Sequence, residues 1–182
     1  TEQNVKLNGC TKEYFRGVVE RIGINMVLSD PALELPMPLL PTFNFVGHVL
    51  SSPAAPLEGE LQKWVGDADQ GFVLVSLGTI GSLQQEALNV LTVELGNLAP
   101  IRVIWKLQGV KPTVQVPHNI KLVSWMPQND LLGHPKVRAF LTHGGRNSLE
   151  ESAYHGVPIV GVPLFGDQHD NLVRATRHGF CV

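Results

Sequence analysis

The stretch from Phe140 to Asn171, FLTHGGRNSLEESAYHGVPIVGVPLFGDQHDN, concentrates side chains capable of ligand chemistry. Its His-Gly-Gly turn, residues 143–145, follows an apolar run and precedes a helical pattern. Glycines allow close approach of a ligand to the backbone, and a helix N-terminus suits a phosphate. The turn therefore indicates either a phosphate cradle, with His143, Asn147 and Ser148 as donors, or a tight helix entry capped by Asn147 or Ser148.

Other polar side chains near predicted strand ends leave similar alternatives. Glu151 lies three residues after a serine, so it either completes a capping box or accepts hydrogen bonds from a ribose diol. Trp125 ends an apolar run, and its ring either stacks on a base, with Gln128 reading the base edge, or packs on a loop. Asp167 and Gln168 suit sugar hydroxyls, although Asp167 would also serve as a helix N-cap.

Weaker motifs elsewhere in the chain do not support a metal or dinucleotide site. The D-x-D pattern at Asp67–Asp69 precedes a strand, whereas ligands of parallel sheets bind after strands. The glycines of SLGTIGS, at Ser76–Ser82, lack the G-x-G-x-x-G spacing of dinucleotide folds. The seven histidines show no zinc-ligand spacing. We therefore expect neither a bound metal nor a nicotinamide cofactor.

An alternation of strands and helices would position these groups. Apolar runs predict buried strands, and leucines at helical spacing between Leu83 and Leu98 predict a helix. The predicted strands are 72–77, 101–107, 120–125, 137–143 and 158–162, with further helices at 148–155 and 167–178. Such alternation predicts an α/β fold with a parallel sheet and ligands at the carboxyl ends of its strands.

Composition excludes several classes of protein. The 182 residues are 43% apolar and 16% charged with a net charge of −2, which gives no sign of a nucleic-acid-binding surface. Cys10 and Cys181 lie at opposite ends and indicate no disulfide framework. No apolar run is long enough to cross a bilayer, and the polar start, Thr1–Gly9, is unlike a signal peptide. The final GFCV reads as the start of a strand, so we expect a fragment.

The stretch from Met37 to Pro56 is rich in proline and small residues, as in a connection between compact parts. It contains a predicted short strand at Phe43–Val49. Before it, Thr11–Glu34 indicates a helix and then a strand near Ile24–Leu28. This organisation predicts the end of one domain at 1–50, a linker at 51–70 and a second, incomplete domain at 71–182.

Taken together, the motifs resemble the donor-binding signature of UDP-glycosyltransferases, most closely the animal UDP-glucuronosyltransferase-like enzymes. The resemblance covers Trp125 to Gln168 without a gap and includes WMPQNDLLGHP and YHGVPIVGVPLFGDQ. It remains recognisable back through FVLVSLGT and, more loosely, to LPMPLLPTFNFVGHV. It implies a GT-B fold, of the Rossmann-like α/β type with helices on both faces of a parallel sheet. Residues 1–50 would then end the acceptor domain, and 71–182 would bind the UDP-sugar.

The resemblance also implies roles for particular residues. Trp125 would stack on uracil, Gln128 would support base or ribose, and Glu151 would take the ribose hydroxyls. Asp167 and Gln168 would contact the sugar. Either Ser76 or the pair Gly78 and Thr79 would meet the diphosphate, together with His143, Asn147 and Ser148. Gly145 is a further donor-binding position of the signature.

By the same resemblance, the whole enzyme would transfer a glucuronate- or glucose-type hexose from UDP to a small lipophilic acceptor. It would invert the anomeric centre without a metal or other cofactor, in the endoplasmic reticulum lumen, as a membrane-anchored protein and a possible homo-oligomer. The sequence departs from the family at Arg146, where members carry other residues. The family's catalytic histidine and membrane helix have no counterpart here. We therefore expect no turnover by this chain alone, and the alternative function is a UDP-sugar-binding module.

Overall fold

The computed structural model describes residues 17, 21–47, 49–78 and 83–182, which divide between two compact units, Thr1–Gly47 and His48–Val182. In the smaller unit, strands β1 (Asn25–Val27) and β2 (Phe43–Phe45) pair in parallel. Both strands were expected and are confirmed, although each is shorter than its apolar run. The helix expected from Thr11 lies mostly outside the described residues.

The larger unit is built on a five-stranded parallel sheet of order β5-β4-β3-β6-β7. All five strands expected from the apolar runs are confirmed, with ends that differ by one or two residues. Their bounds are Phe72–Ser76 (β3), Arg102–Lys106 (β4), Ile120–Val123 (β5), Val137–Thr142 (β6) and Ile159–Gly161 (β7).

Among the described residues of this unit, five α-helices accompany the sheet, and the three that the leucine spacing and polar patterns predicted are confirmed. Their bounds are Gly59–Gly66 (α1), Gln85–Gly96 (α2), Gln128–Leu132 (α3), Arg146–His155 (α4) and Gln168–Arg177 (α5). No helix in the described part of the chain is long and apolar enough to cross a membrane.

The core has a layer on each side of the sheet, because successive residues of a strand point to opposite faces. Phe72 and Leu74 of β3 pack with α1 and α3 on one face. Val75 packs with Leu88 of α2 on the other. Full burial of a side chain such as Phe72 stabilises the fold by about 1.5–3 kcal/mol. Helices on both faces of a parallel sheet confirm the predicted Rossmann-like architecture.

Residues 51–70, expected to be a linker, contribute to this core. Leu57, Val65 and Ala68 are buried in the same cluster as Phe72, and α1 lies within the segment. This part of the connection therefore belongs structurally to the larger unit. The assignment of residues 1–50 to an acceptor domain stays a prediction.

The N-terminus of α4 differs from the predicted capping arrangement. The helix begins at Arg146, its N-cap is Gly145 in an extended conformation, and no side chain caps it. Asn147 and Ser148 are already inside the first turn, so neither is the N-cap and no Ser148–Glu151 capping box forms. The alternative that Asn147 or Ser148 caps this helix was wrong. The N-cap position is occupied by Gly145, which has no side chain to accept a hydrogen bond.

Candidate functional site

A cleft of about 490 Å³ opens at the carboxyl ends of β3, β4 and β6. The order of the sheet reverses between β3 and β6, where parallel α/β sheets form ligand crevices. Eight residues predicted to bind the donor line this cleft together. They are Ser76, Gly78, Gln128, His143, Gly145, Asn147, Ser148 and Glu151.

The imidazole of His143 lies between two glycines in the floor of the cleft. A Cβ on Gly145 would lie 2.6 Å from its Nε2, and one on Gly78 would lie 3.1 Å away. A side chain at Gly145 would therefore displace the ring. Nδ1 lies 3.4 Å from the carbonyl oxygen of Ser76. Burial lowers the pKa of His143, while the Ser76 carbonyl and the charge of Asp167 oppose that shift.

The first turn of α4 lines the cleft with Gly145, Arg146, Asn147 and Ser148. The leading N–H groups of a helix have no intrahelical partner and carry partial positive charge. Arg146 adds a guanidinium, whose Nε donates to Glu150 Oε1 at 2.6 Å. This wall of the cleft is therefore suited to an anionic group.

Gln128 joins α3 to α4 through the polar side chains of the cleft. Its Nε2 donates to Glu151 Oε2 at 2.6 Å and to Ser148 Oγ at 3.2 Å. Burial raises the pKa of the Glu151 carboxyl, the hydrogen bond from Gln128 opposes the rise, and the charge of Asp130 adds to it. The carboxylate is thus held in place while keeping acceptor capacity for a ligand.

Three predicted residues do not line the cleft. Trp125 is 69% exposed in the loop after β5. Asp167 is at the N-cap position of α5 without a cap bond, and its Oδ2 accepts from Asn171 Nδ2 at 2.8 Å. Gln168 is buried, and its Oε1 accepts from the backbone N–H groups of Leu164 and Phe165 at 2.8 and 2.9 Å. The roles of these residues stay predictions, and Thr79 lies outside the described residues.

The cleft also contains groups that sequence reasoning missed. Lys106, the last residue of β4, is paired in register with Ser76, and both line the cleft. Within the described part of the chain, no side chain forms a salt bridge or hydrogen bond with its ammonium group. Phe165 also lines the cleft. A lysine at the carboxyl end of a predicted strand was the available signal.

The residues of the D-x-D motif do not line this cleft. Asp67 Oδ2 lies 3.7 Å from Arg102 Nη1. Both residues line a separate pocket together with Asp69. The described residues contain no group of three or more His, Cys, Asp or Glu side chains placed to hold a metal ion. Cys181 is buried and free, whereas Cys10 lies outside the described residues.

Comparison with known proteins gives the family of the chain. Residues 5–182 match the model of UDP-glucoronosyl and UDP-glucosyl transferases. The chain belongs to the UDP-glycosyltransferase family. It is 50% identical over 176 residues to human 2-hydroxyacylsphingosine 1-beta-galactosyltransferase, covering 96% of this chain and 32% of that protein. It is 47% identical over 152 residues to UDP-glucuronosyltransferase 2B13 of Oryctolagus cuniculus, covering 82% of this chain and 28% of that protein.

A solved structure supports the fold of this UDP-glycosyltransferase chain. The glycotransferase of kitacinnamycin superimposes with a TM-score of 0.63 at 23% identity, over 78% of this chain and 36% of that one. The fold is accordingly the GT-B, Rossmann-like α/β type. The chain spans about a third of the length of its curated relatives.

Proposed function

We propose that the larger unit binds the UDP-sugar donor of a glycosyl transfer reaction. The observation that carries this proposal is the convergence of eight signature residues on one cleft at the reversal point of the sheet. The cleft has room for a nucleotide, since small-molecule sites have volumes of about 300–1,000 Å³. Its lining combines the start of α4 and the ammonium group of Lys106 with the held carboxylate of Glu151, which matches a diphosphate joined to a ribose.

The nucleoside half of the donor occupies the end nearest Glu151. The carboxylate accepts hydrogen bonds from the ribose diol, and Gln128 keeps it oriented. Trp125 covers the uracil once the ligand is present, because its exposed ring is free of packing that would prevent stacking. Selection of uracil comes from Gln128 at the base edge, because stacking on an aromatic ring accepts any base.

The diphosphate lies against the first turn of α4. Backbone N–H groups there, together with Asn147 and Ser148, donate to phosphate oxygens, and His143 and Lys106 reach from the strand ends. Fixed donors and cations of this kind stabilise a departing diphosphate, so we assign the reaction no metal. Asp167 and Gln168 take the hexose beyond the second phosphate, and Phe165, two residues before Asp167, lines the cleft.

For the whole protein we propose an inverting transfer of a glucuronate- or glucose-type hexose to a small lipophilic acceptor. The human relative is named for a sphingosine acceptor, which supports a lipophilic one here. A general base outside this cleft would remove the acceptor proton. We also propose that the whole protein is membrane-anchored, faces the endoplasmic reticulum lumen and forms a homo-oligomer. The isolated chain acts as a UDP-sugar-binding module without turnover.

Calorimetric titration with UDP, uridine and ADP tests the donor-site proposal. We expect UDP to bind at least tenfold more tightly than either, because uridine lacks the diphosphate and ADP lacks uracil. Equal affinity for ADP and UDP would overturn the uridine specificity. A subsequent panel of UDP-glucuronate, UDP-glucose and UDP-galactose identifies the preferred hexose.

A further inference from the structure

The extended stretch Ser52–Leu57, which we call the strap, is held on the surface of the larger unit by side chains of α3. Asn129 Nδ2 donates to the carbonyl oxygen of Ser52 at 3.0 Å, and the N–H of Ser52 donates to Asn129 Oδ1 at 3.3 Å. One amide side chain thus satisfies both backbone groups of Ser52, as a neighbouring strand would.

Two further contacts extend the attachment of the strap. The N–H of Ala55 donates to Asp130 Oδ1 at 2.9 Å, and Leu57 is buried in the core. Gly133 makes room for the strap, because a Cβ there would lie 2.4 Å from the Cβ of Ala54. Such an overlap with a methyl group would force the strap outward.

The same cluster reaches α4 from behind the cleft. His155, the last residue of α4, lies with its Nε2 3.0 Å from Asn129 Oδ1. The oxygen accepts, so Nε2 is the donor. Burial lowers the pKa of His155, which favours the neutral ring with one N–H for this bond.

Helix α3 has only five residues, too few to be stable by its own hydrogen bonds. Leu131 and Leu132 anchor its end in the core, whereas its first turn is held by polar contacts. Gln128 faces the cleft and holds Glu151, while the next two residues hold the strap. The strap and the nucleotide cleft therefore share the first turn of α3.

We propose that Asn129 and Asp130 are positioning residues, which use the attached strap to fix the first turn of α3 and thereby aim Gln128 and Glu151 at the nucleotide. The nucleotide part of this inference rests on the proposed function. Because coupling between two binding events is reciprocal, UDP must strengthen the attachment of the strap by the same factor that the strap strengthens UDP binding.

Hydrogen exchange across residues 49–57, with and without UDP, tests the attachment in the whole chain. The amides of Ser52 and Ala55 should exchange at least tenfold more slowly than in an unstructured peptide, and saturating UDP should slow them further. Asp130→Ala should restore fast exchange at Ala55. Asp130→Asn keeps an acceptor oxygen and should preserve slow exchange. If the amides of Ser52 and Ala55 in the unaltered chain exchanged as fast as those of an unstructured peptide, the inference would be overturned.

Titration with UDP tests the positioning role. Asp130→Ala and Asn129→Ala should each weaken UDP by about threefold to tenfold, the range for loss of one or two hydrogen bonds. Asp130→Asn should bind UDP no more weakly than the unaltered chain, because it also removes a charge that opposes ionisation of Glu151.

The two parts of the inference fail separately. Unchanged UDP affinity in variants that have lost slow exchange would overturn the positioning role. Absence of UDP binding in the unaltered chain would overturn the proposed function and the nucleotide part of the inference, and slow exchange at Ser52 and Ala55 would still support the strap attachment.

Discussion

The cleft residues Ser76, Gln128, His143, Ser148 and Glu151, which we call the floor, are held by the protein itself. Trp125 and Asp167, two predicted donor contacts that do not line the cleft and that we call the rim, are open to solvent. Glu151 and Ser148 both receive hydrogen bonds from Gln128. Trp125 is 69% exposed. Groups fixed before binding lose little conformational freedom when the ligand arrives, whereas exposed ones must be ordered at that moment. Floor contacts should therefore contribute more to affinity than rim contacts of similar chemistry.

The largest expected effect is at the floor. Glu151→Gln should weaken UDP by about 1.5–3 kcal/mol, the scale of hydrogen bonds to a charged group. The loss should be smaller for 2′-deoxy-UDP, because that ligand lacks one of the two donors. Calorimetric titration measures both affinities, with exposed Glu86→Gln as the matched control. Equal losses for both ligands would remove the ribose role.

At the rim, Trp125→Ala should weaken UDP by about 1 kcal/mol, the lower end of the 1–3 kcal/mol range for base stacking. The lower end is expected because ordering the exposed ring offsets part of the gain. Trp125→Phe should retain most of the affinity, since it keeps an aromatic face. A loss in Trp125→Ala larger than in Glu151→Gln would reverse the comparison between floor and rim.

A smaller effect is expected for the hexose. Asp167→Asn should weaken the binding of UDP-glucose or UDP-glucuronate by about 0.5–1.5 kcal/mol. The binding of UDP should be unchanged, because UDP has no hexose hydroxyl to donate to Asp167. Exposed Asp170→Asn on the same helix is the control. Parallel loss of UDP and UDP-sugar would point to damage of the loop that Gln168 holds, and the sugar role would be withdrawn.

Lys106 offers a test of the charge in the cleft. Lys106→Met should weaken UDP by about 0.2–1 kcal/mol, the range for partly solvated ion pairs, and should leave uridine unaffected. The difference from the unaltered chain should shrink as salt is raised, since salt screens solvated charges. Lys111→Met, at an exposed loop residue, is the control. If Lys106→Met lost as much affinity for uridine as for UDP, the phosphate contact would be contradicted.

The smallest expected effect concerns stability. Because the pKa of Glu151 is raised in the folded chain, the group favours folding below its unfolded pKa, and that contribution is lost as pH rises through the folded value. The melting temperature of Glu151→Gln, relative to the unaltered chain, should therefore rise between pH 4.5 and pH 7. Melting curves at the two pH values check this, and a relative fall would mean that ionised Glu151 is stabilised in place.

The sequence predicted the regular elements well where burial imposes a pattern. Strands β3 and β4 are covered on both faces and so read as continuous apolar runs. The sequence predicted that α4 begins at residue 148, because Asn147 or Ser148 was expected to cap it. In the structure the helix begins two residues earlier, at Arg146. Local preference could not reveal that Asn147 and Ser148 already lie in the first turn.

The sequence by itself determined the family, the parallel α/β fold and the strand-end residues that are candidates for the site. It did so because strand ends and glycine turns carry a specific order of residue types. Only the tertiary structure decided which side chains share that cleft. The register of β4 against β3 brings Lys106 beside Ser76 in the cleft. Trp125 is exposed and does not line the cleft, and Gln168 accepts hydrogen bonds from the backbone of the loop before α5. The tertiary structure also joined Gln128 to Glu151 and Asn129 to Ser52. Contacts between residues far apart in sequence depend on how layers pack, which no local pattern records.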